Sequence, residues 1–164
     1  MSETLATFNA LSSHEAEARL RSCCGSRAWA STVAAGRPYA DVPALIKAAD
    51  AVWADLRPTD WLEAFAAHPR LGEGGGRSPD SSAKEQSRVM AAGDRTLAEL
   101  ADENGLYEAR FGHVFLISAA GRSAEEVLEA LRERMNHDAE TEIKVAAEEQ
   151  RKITRLRLES MLHP

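Results

Sequence analysis

The stretch Ser123-Ala124-Glu125-Glu126-Val127-Leu128-Glu129-Ala130-Leu131-Arg132-Glu133-Arg134-Met135 decides the fold class. Ser123 stands three residues before Glu126, the spacing of a capping box. The serine oxygen accepts from a backbone N–H that the first turn leaves without a partner, and the glutamate reaches back to the serine's own N–H. Val127, Leu128, Leu131 and Met135 follow at steps of one, three and four, which places them on one stripe of a 3.6-residue helix. The same pattern recurs outward from here. Ser12 precedes Glu15 and Ser82 precedes Glu85 by three; Leu45, Ala49, Val52, Trp53 and Leu56 form a second stripe; Ile143, Ala147, Gln150, Ile153, Leu156 and Leu158 indicate a long final helix. About eight helical segments are expected and no strand is convincing. The short apolar run Phe115-Leu116-Ile117-Ser118 fits an extended or a helical path, and periodicity alone does not decide. The expectation is an all-α protein, a single-domain helical bundle over residues 1–164.

Composition agrees with that class. The 164 residues are 44% hydrophobic and 5% aromatic, and alanine and leucine, which lose little side-chain entropy in a helix, dominate. A chain of this length buries roughly two-thirds of its unfolded surface, enough for a core. The net charge of −6 argues against a nucleic-acid or anionic-membrane partner, which would be repelled at long range. Cys23 and Cys24 are adjacent, a poor arrangement for a disulfide and not a Cys-x-x-Cys pair, so two reduced thiols are expected. The sequence starts without a basic, apolar leader, holds no run near the ~20 apolar residues of a membrane span, and ends without a peroxisomal tripeptide; a cytoplasmic protein is expected.

One segment reads as a true loop, from His68-Pro69 through Gly72-Glu73-Gly74-Gly75-Gly76-Arg77-Ser78-Pro79-Asp80, where four glycines and two prolines oppose regular structure. Long loops in small helical domains often carry function. His68 stands at its start. The residue before a proline is pushed out of the α region, so the helix through Asp60-Trp61-Leu62-Glu63-Ala64-Phe65-Ala66-Ala67 should stop near His68. An imidazole there can exchange a proton near neutral pH, or simply complement the helix C-terminus. Glu85-Gln86, expected to open the helix through Val89, Met90, Leu97 and Leu100, offers a carboxylate and an amide to a small polar ligand; equally, Ser82 and Glu85 are a capping box. Arg157 lies between Leu156 and Leu158, where it can grip a carboxylate or extend to solvent. The glycine run is not a phosphate-binding loop, because Gly76-Arg77-Ser78 lacks the lysine and the glycine five positions earlier. Histidines 14, 68, 113, 137 and 163 form no His-x-x-x-His pair, and no Gly-x-Ser-x-Gly occurs, so no metal site is expected and no nucleophile elbow.

In order along the chain these residues resemble a known family. His68-Pro69-Arg70-Leu71-Gly72, after a tryptophan-containing helix, is similar to the His-Pro-Arg-[Ile/Leu]-Gly signature of the OHCU decarboxylases, whose substrate is 2-oxo-4-hydroxy-4-carboxy-5-ureidoimidazoline. Ser82-x-x-Glu85-Gln86 matches next, then Asn104-x-x-Tyr107, Arg110-Phe111-Gly112, Phe115 through Ala119, Gly121-Arg122, Arg134, Asn136, Lys152-Ile153 and Leu156-Arg157-Leu158. No single piece is specific; the ordered set, covering nearly the whole chain, is. The resemblance implies a single all-helical domain, often a homodimer, that converts this urate-derived small molecule to (S)-allantoin and CO2 without a cofactor. Carried over residue by residue, it implies His68 as catalytic acid/base and Glu85 as its carboxylate partner. Pro69, Ser82, Glu85, Gln86, the main chain of Phe115, Leu116, Ile117, Ser118 and Ala119, and Arg157 are implied to bind substrate. The Gly74-Gly75-Gly76 run and His113 are left without a role. Two other classes compete with this enzyme: a non-catalytic helical ureide-binding or interaction module, and a metal-dependent hydrolase, which the cysteine and histidine spacings disfavour.

Overall fold

The computed structural model describes residues 4–71 and 79–162. Among them are ten helices: α1 (Leu5–Ala10), α2 (Ser13–Arg21), α3 (Arg27–Ala35), α4 (Val42–Asp55), α5 (Pro58–Phe65), α6 (Pro79–Glu85), α7 (Ser87–Met90), α8 (Asp94–Phe111), α9 (Ala124–Arg134) and α10 (Ala139–Met161), with no strand among the described residues. The all-α expectation holds; ten helices replace about eight because several are short.

Short polar side chains set many of the starts. Thr4, Ser12, Ser26, Asp41 and Ser123 each sit in extended backbone and accept from the N–H three residues on, satisfying a donor that the first turn strands. The full reciprocal box forms at Ser123 and Glu126.

Ser82 departs from this pattern. Helix α6 already begins at Pro79, whose fixed φ and missing N–H suit a first turn, so Ser82 lies inside the helix and Glu85 is its last residue. Pro79 and Asp80 are therefore helical rather than loop, while residues 72–78 of the expected loop lie outside the described residues. The single helix expected from Glu85 through Leu100 is likewise interrupted. Gln86, at φ −96° and ψ 10°, separates α6 from the four-residue α7, and Gly93 turns extended before α8 begins at Asp94. Glycine is costly inside a helix and aspartate favourable in a first turn, so Gly93-Asp94 restarts the chain instead of continuing it.

The chain groups into two compact units, one of Met1–Ala64 with Arg151–Pro164 and one of Phe65–Gln150. In the first, Phe8, Leu20, Trp29, Val33, Leu45, Ala49, Trp53, Leu158 and Leu162 are buried. Trp29 Nε1 donates to Ala49 O at 3.1 Å and Trp61 Nε1 to Trp53 O at 3.0 Å, tying α3 and α5 to α4. Glu63 Oε1 accepts from Arg27 N at 2.9 Å, so α5 helps cap α3. Leu156, placed on the apolar stripe by its spacing, is 45% exposed. It and Leu158 are two residues apart on a helix and cannot share a face.

In the second unit one apolar cluster joins Leu71, Val89, Leu100, Tyr107, Phe115, Ile117, Ala119, Ala124, Val127, Leu128 and Leu131. Each large side chain buried there contributes about 1.5–3 kcal/mol. Five of these, Leu71, Val89, Phe115, Ile117 and Ala119, lie within, or close in sequence to, segments expected to bind substrate.

Candidate active site

His68 follows α5 in a turn. The helix stops at Phe65, three residues before the expected point, and His68 N donates to Phe65 O at 3.1 Å. The half-buried imidazole is fixed by a side-chain hydrogen bond, with Nε2 2.7 Å from Oε1 of Gln150 on α10. Pro69 beside it is half-buried. The next two residues are anchored from α8. Arg70 makes a two-pronged contact with Glu108, at 2.7 and 3.0 Å, and Asn104 Nδ2 donates to Leu71 O at 3.2 Å. Asn104 and Glu108 are four apart, so one face of α8 holds the turn that carries His68.

Ser82 and Gln86 are buried and Glu85 is half-buried. Gln86 N donates to Ser82 O at 3.0 Å, and Val89, three residues on, is fully buried. Steps of four and three put Ser82, Gln86 and Val89 on one inward face. Two of its three positions are polar where an apolar core would use aliphatic side chains, and buried polar groups need partners.

Residues 114–119 form neither helix nor strand, which resolves the ambiguity of that run: it is an irregular connection, yet Phe115, Leu116, Ile117 and Ala119 are buried. A buried irregular backbone must find hydrogen bonds outside regular structure. Here side chains supply several. Arg134 Nη1 donates to Leu116 O at 2.7 Å, Ser118 N donates to Glu149 Oε1 at 3.0 Å, and Arg122 Nε donates to Ser118 O at 3.0 Å. Arg88 on α7 donates to Gly121 O at 2.6 Å and pairs with Glu126 at 3.5 Å, joining this connection to the start of α9.

Arg134 is itself held by Glu142, a fully buried carboxylate that also accepts from the Tyr107 hydroxyl and lies 3.0 Å from His137 Nδ1. The Arg134 guanidinium lies 4.4 Å from the Phe115 ring centre. Burial alone would raise the Glu142 carboxyl, but hydrogen bonds from Arg134 and Tyr107 outweigh it and hold the group below its ordinary value. Burial, with the hydrogen bond to Glu142, pushes the Tyr107 phenol far above its ordinary range, so the phenol stays a donor. His113 packs among Phe65, Tyr107 and Phe111, with ring centres 5.3, 5.6 and 6.4 Å away, and its Nδ1 lies 3.0 Å from Val114 O. Its role is packing and the start of the connection.

All the expected site residues except Arg157 thus fall in the second unit. Arg157 belongs to the first, where it is half-buried and acts electrostatically on Cys24. Burial pushes the Cys24 thiol up to about 12, against hydrogen bonds from the Ser26 backbone and the Thr154 side chain and the Arg157 charge, so it is no thiolate nucleophile. Among the described residues no three His, Cys, Asp or Glu side chains gather as a metal-holding group. No helix there is long and apolar enough to cross a membrane.

Glu149 and Gln150 were not legible as site residues, although Gln150 was placed on the buried stripe. The signal lay in the spacing: Glu142, Ala146 and Glu149 recur at steps of four and three, and all are buried, so polar residues occupy inward positions of α10.

The fold and site together define an all-helical protein in which an imidazole is held by a buried carboxamide. Residues 9–159 match the family model described as OHCU decarboxylase, and the chain belongs to that family. It is 40% identical over 142 residues to the uric acid degradation bifunctional protein TTL of Arabidopsis thaliana, covering 83% of this chain and 44% of the relative. It is 28% identical over 123 residues to the 2-oxo-4-hydroxy-4-carboxy-5-ureidoimidazoline decarboxylase of Haloferax volcanii, covering 74% of this chain and 73% of that one. The chain therefore spans less than half the length of the plant relative. A crystal structure of an OHCU decarboxylase in the presence of (S)-allantoin superposes with a TM-score of 0.79 at 37% identity, covering 88% of this chain and 96% of that one.

Proposed function

We propose that this chain decarboxylates 2-oxo-4-hydroxy-4-carboxy-5-ureidoimidazoline to (S)-allantoin and CO2 in urate degradation, as a carboxy-lyase using acid/base catalysis without a cofactor. The observation that carries the reading is the half-buried His68 imidazole, fixed at 2.7 Å by a buried side chain, in a chain that matches the family from residue 9 to 159.

The chemistry suits these groups. The bond from ring carbon to carboxylate breaks, CO2 leaves, and the electron pair flows into the adjacent ring C=N, so the substrate is its own electron sink. The hydroxyl proton departs as that carbon becomes a carbonyl. One proton goes to the ring nitrogen and one to the carbon bearing the ureido group, and net uptake of one proton from water balances the lost carboxylate charge. His68 manages the proton at the carbon bearing hydroxyl and carboxylate, and Glu85 serves as the second acid/base group. Gln86 and the main chain of residues 115–119 match the donors and acceptors of the ureido and ring amides. Leu116 O, Ser118 N, Ser118 O and Ala119 O already have protein partners, so substrate contacts fall to the remaining peptide groups of this connection, those of Ile117 among them. Pro69 and Ser82 shape the site. On the family's pattern the chain is read as a cytoplasmic homodimer.

The test follows freshly oxidised urate with and without the protein, by CO2 release and by the circular dichroism of allantoin, with buffer alone measuring unassisted decay. Faster appearance of optically active allantoin is expected, and His68→Asn should lower kcat/KM by about 10²–10⁴-fold. A folded His68→Asn variant with near wild-type turnover would remove the His68 role. Binding of allantoin-like ureides with no acceleration would make the chain a binding module instead.

A further inference from the structure

His68 sits in a turn, and a catalytic imidazole needs more than a place: one ring nitrogen must keep its proton while the other gives and takes one. The structure supplies the means on α10. Gln150 is fully buried, and its Oε1 lies 2.7 Å from His68 Nε2. Its chain neighbour Glu149, also buried, accepts the Ser118 N–H at 3.0 Å. Two consecutive residues of one helix therefore hold two of the segments assigned to the substrate, the turn at His68 and the connection at 115–119.

A carboxamide oxygen has only lone pairs to offer, so the ring nitrogen facing it carries the hydrogen. That bond survives in both the neutral and the protonated ring. An amide also fixes orientation without the pull on imidazole basicity that a carboxylate would exert. Resting on the assignment of His68 as acid/base, we infer that Gln150 is a positioning residue: it keeps the proton on Nε2 and so makes Nδ1 the nitrogen through which His68 passes the substrate's proton.

The wild-type enzyme labelled with ¹⁵N-histidine reads this directly at mildly alkaline pH, with His68 assigned by the signals that His68→Asn removes. The expected spectrum shows a protonated Nε2 and an unprotonated Nδ1, and the two tautomers mix in Gln150→Leu. In kinetics, Gln150→Leu should lower kcat by roughly 10–100-fold with KM changed less than about threefold. Gln150→Glu, which keeps an oxygen acceptor in place, should recover most of that loss. A wild-type ring protonated on Nδ1, or a Gln150→Leu variant with kcat within about twofold of wild type, overturns the inference. Should Gln150→Leu fail to fold, the wild-type tautomer and the Gln150→Glu kinetics decide. Activity surviving in His68→Asn would sink the acid/base assignment alone and leave the tautomer result standing.

Discussion

Glu142 shows how much a single side chain organises here. It is fully buried, and Arg134, Tyr107 and His137 all turn toward it; Arg134 in turn holds Leu116 O. A buried ion pair adds little net stability over apolar packing, but removing one partner strands the other's charge. Arg134→Met is expected to cost about 3–5 kcal/mol in urea unfolding. Arg134→Met combined with Glu142→Leu should recover a large part of that, since no charge is left buried; equal losses in the single and double variants would contradict the account. The spacing marks Arg134 as inward, since Ala124, Val127, Leu128, Leu131 and Arg134 are all buried on α9. Its charge hides it, because a sequence pattern cannot say which arginine has an acidic partner waiting.

At the scale of elements, the helices with their own start signals were legible, and those defined by their surroundings were not. Ser12 and Ser123 mark α2 and α9 because the capping oxygen and the first turn are local. The same spacing at Ser82 misleads, because Pro79 has already opened the helix. The connection at 115–119 was ambiguous because its path depends on Arg134 and Glu149, whose contacts reach across up to 31 residues of sequence. Helix α8 delivers the chain into that connection through Gly112, whose φ of +82° is left-handed and whose N–H bonds Glu108 O at 2.8 Å. A Cβ there would meet nothing within 4 Å, so Gly112→Ala carries only backbone strain, about 1–2 kcal/mol. Gly112→Asn should cost less, as asparagine tolerates this conformation. Thermal melts rank the three, and an alanine variant as stable as wild type would refute the strain.

For the molecule as a whole, acid is a condition that weakens the fold. Glu142 is held below its ordinary value by Arg134 and Tyr107 against the effect of burial, Glu126 is lowered by the Ser123 backbone, and Asp138 by the Thr141 backbone. A carboxyl lowered in the folded state adds stability that is complete above its unfolded value, about 4.3 for glutamate, and is lost as pH falls through the folded value. Unfolding free energy should therefore be level with respect to these groups above roughly pH 5 and fall below it. Glu142→Gln should start lower and flatten that slope; an unchanged acid limb would show that Glu142 does not drive it. The all-helical class was legible across the whole chain because composition and period agree. The assembly of His68 with Gln150 was not, because 82 positions separate the two.

Glu149 and Gln150 also constrain how this protein can vary over evolutionary time. They are consecutive on one helix, and each successive residue turns by about 100° and rises about 1.5 Å. A deletion or insertion upstream in α10 would swing both side chains away at once, unhooking the histidine turn and the irregular connection together. Substitutions along the exposed face of α10 leave that geometry intact. That exposed face is free to drift in composition, while the residue count between Glu142 and Gln150 is locked.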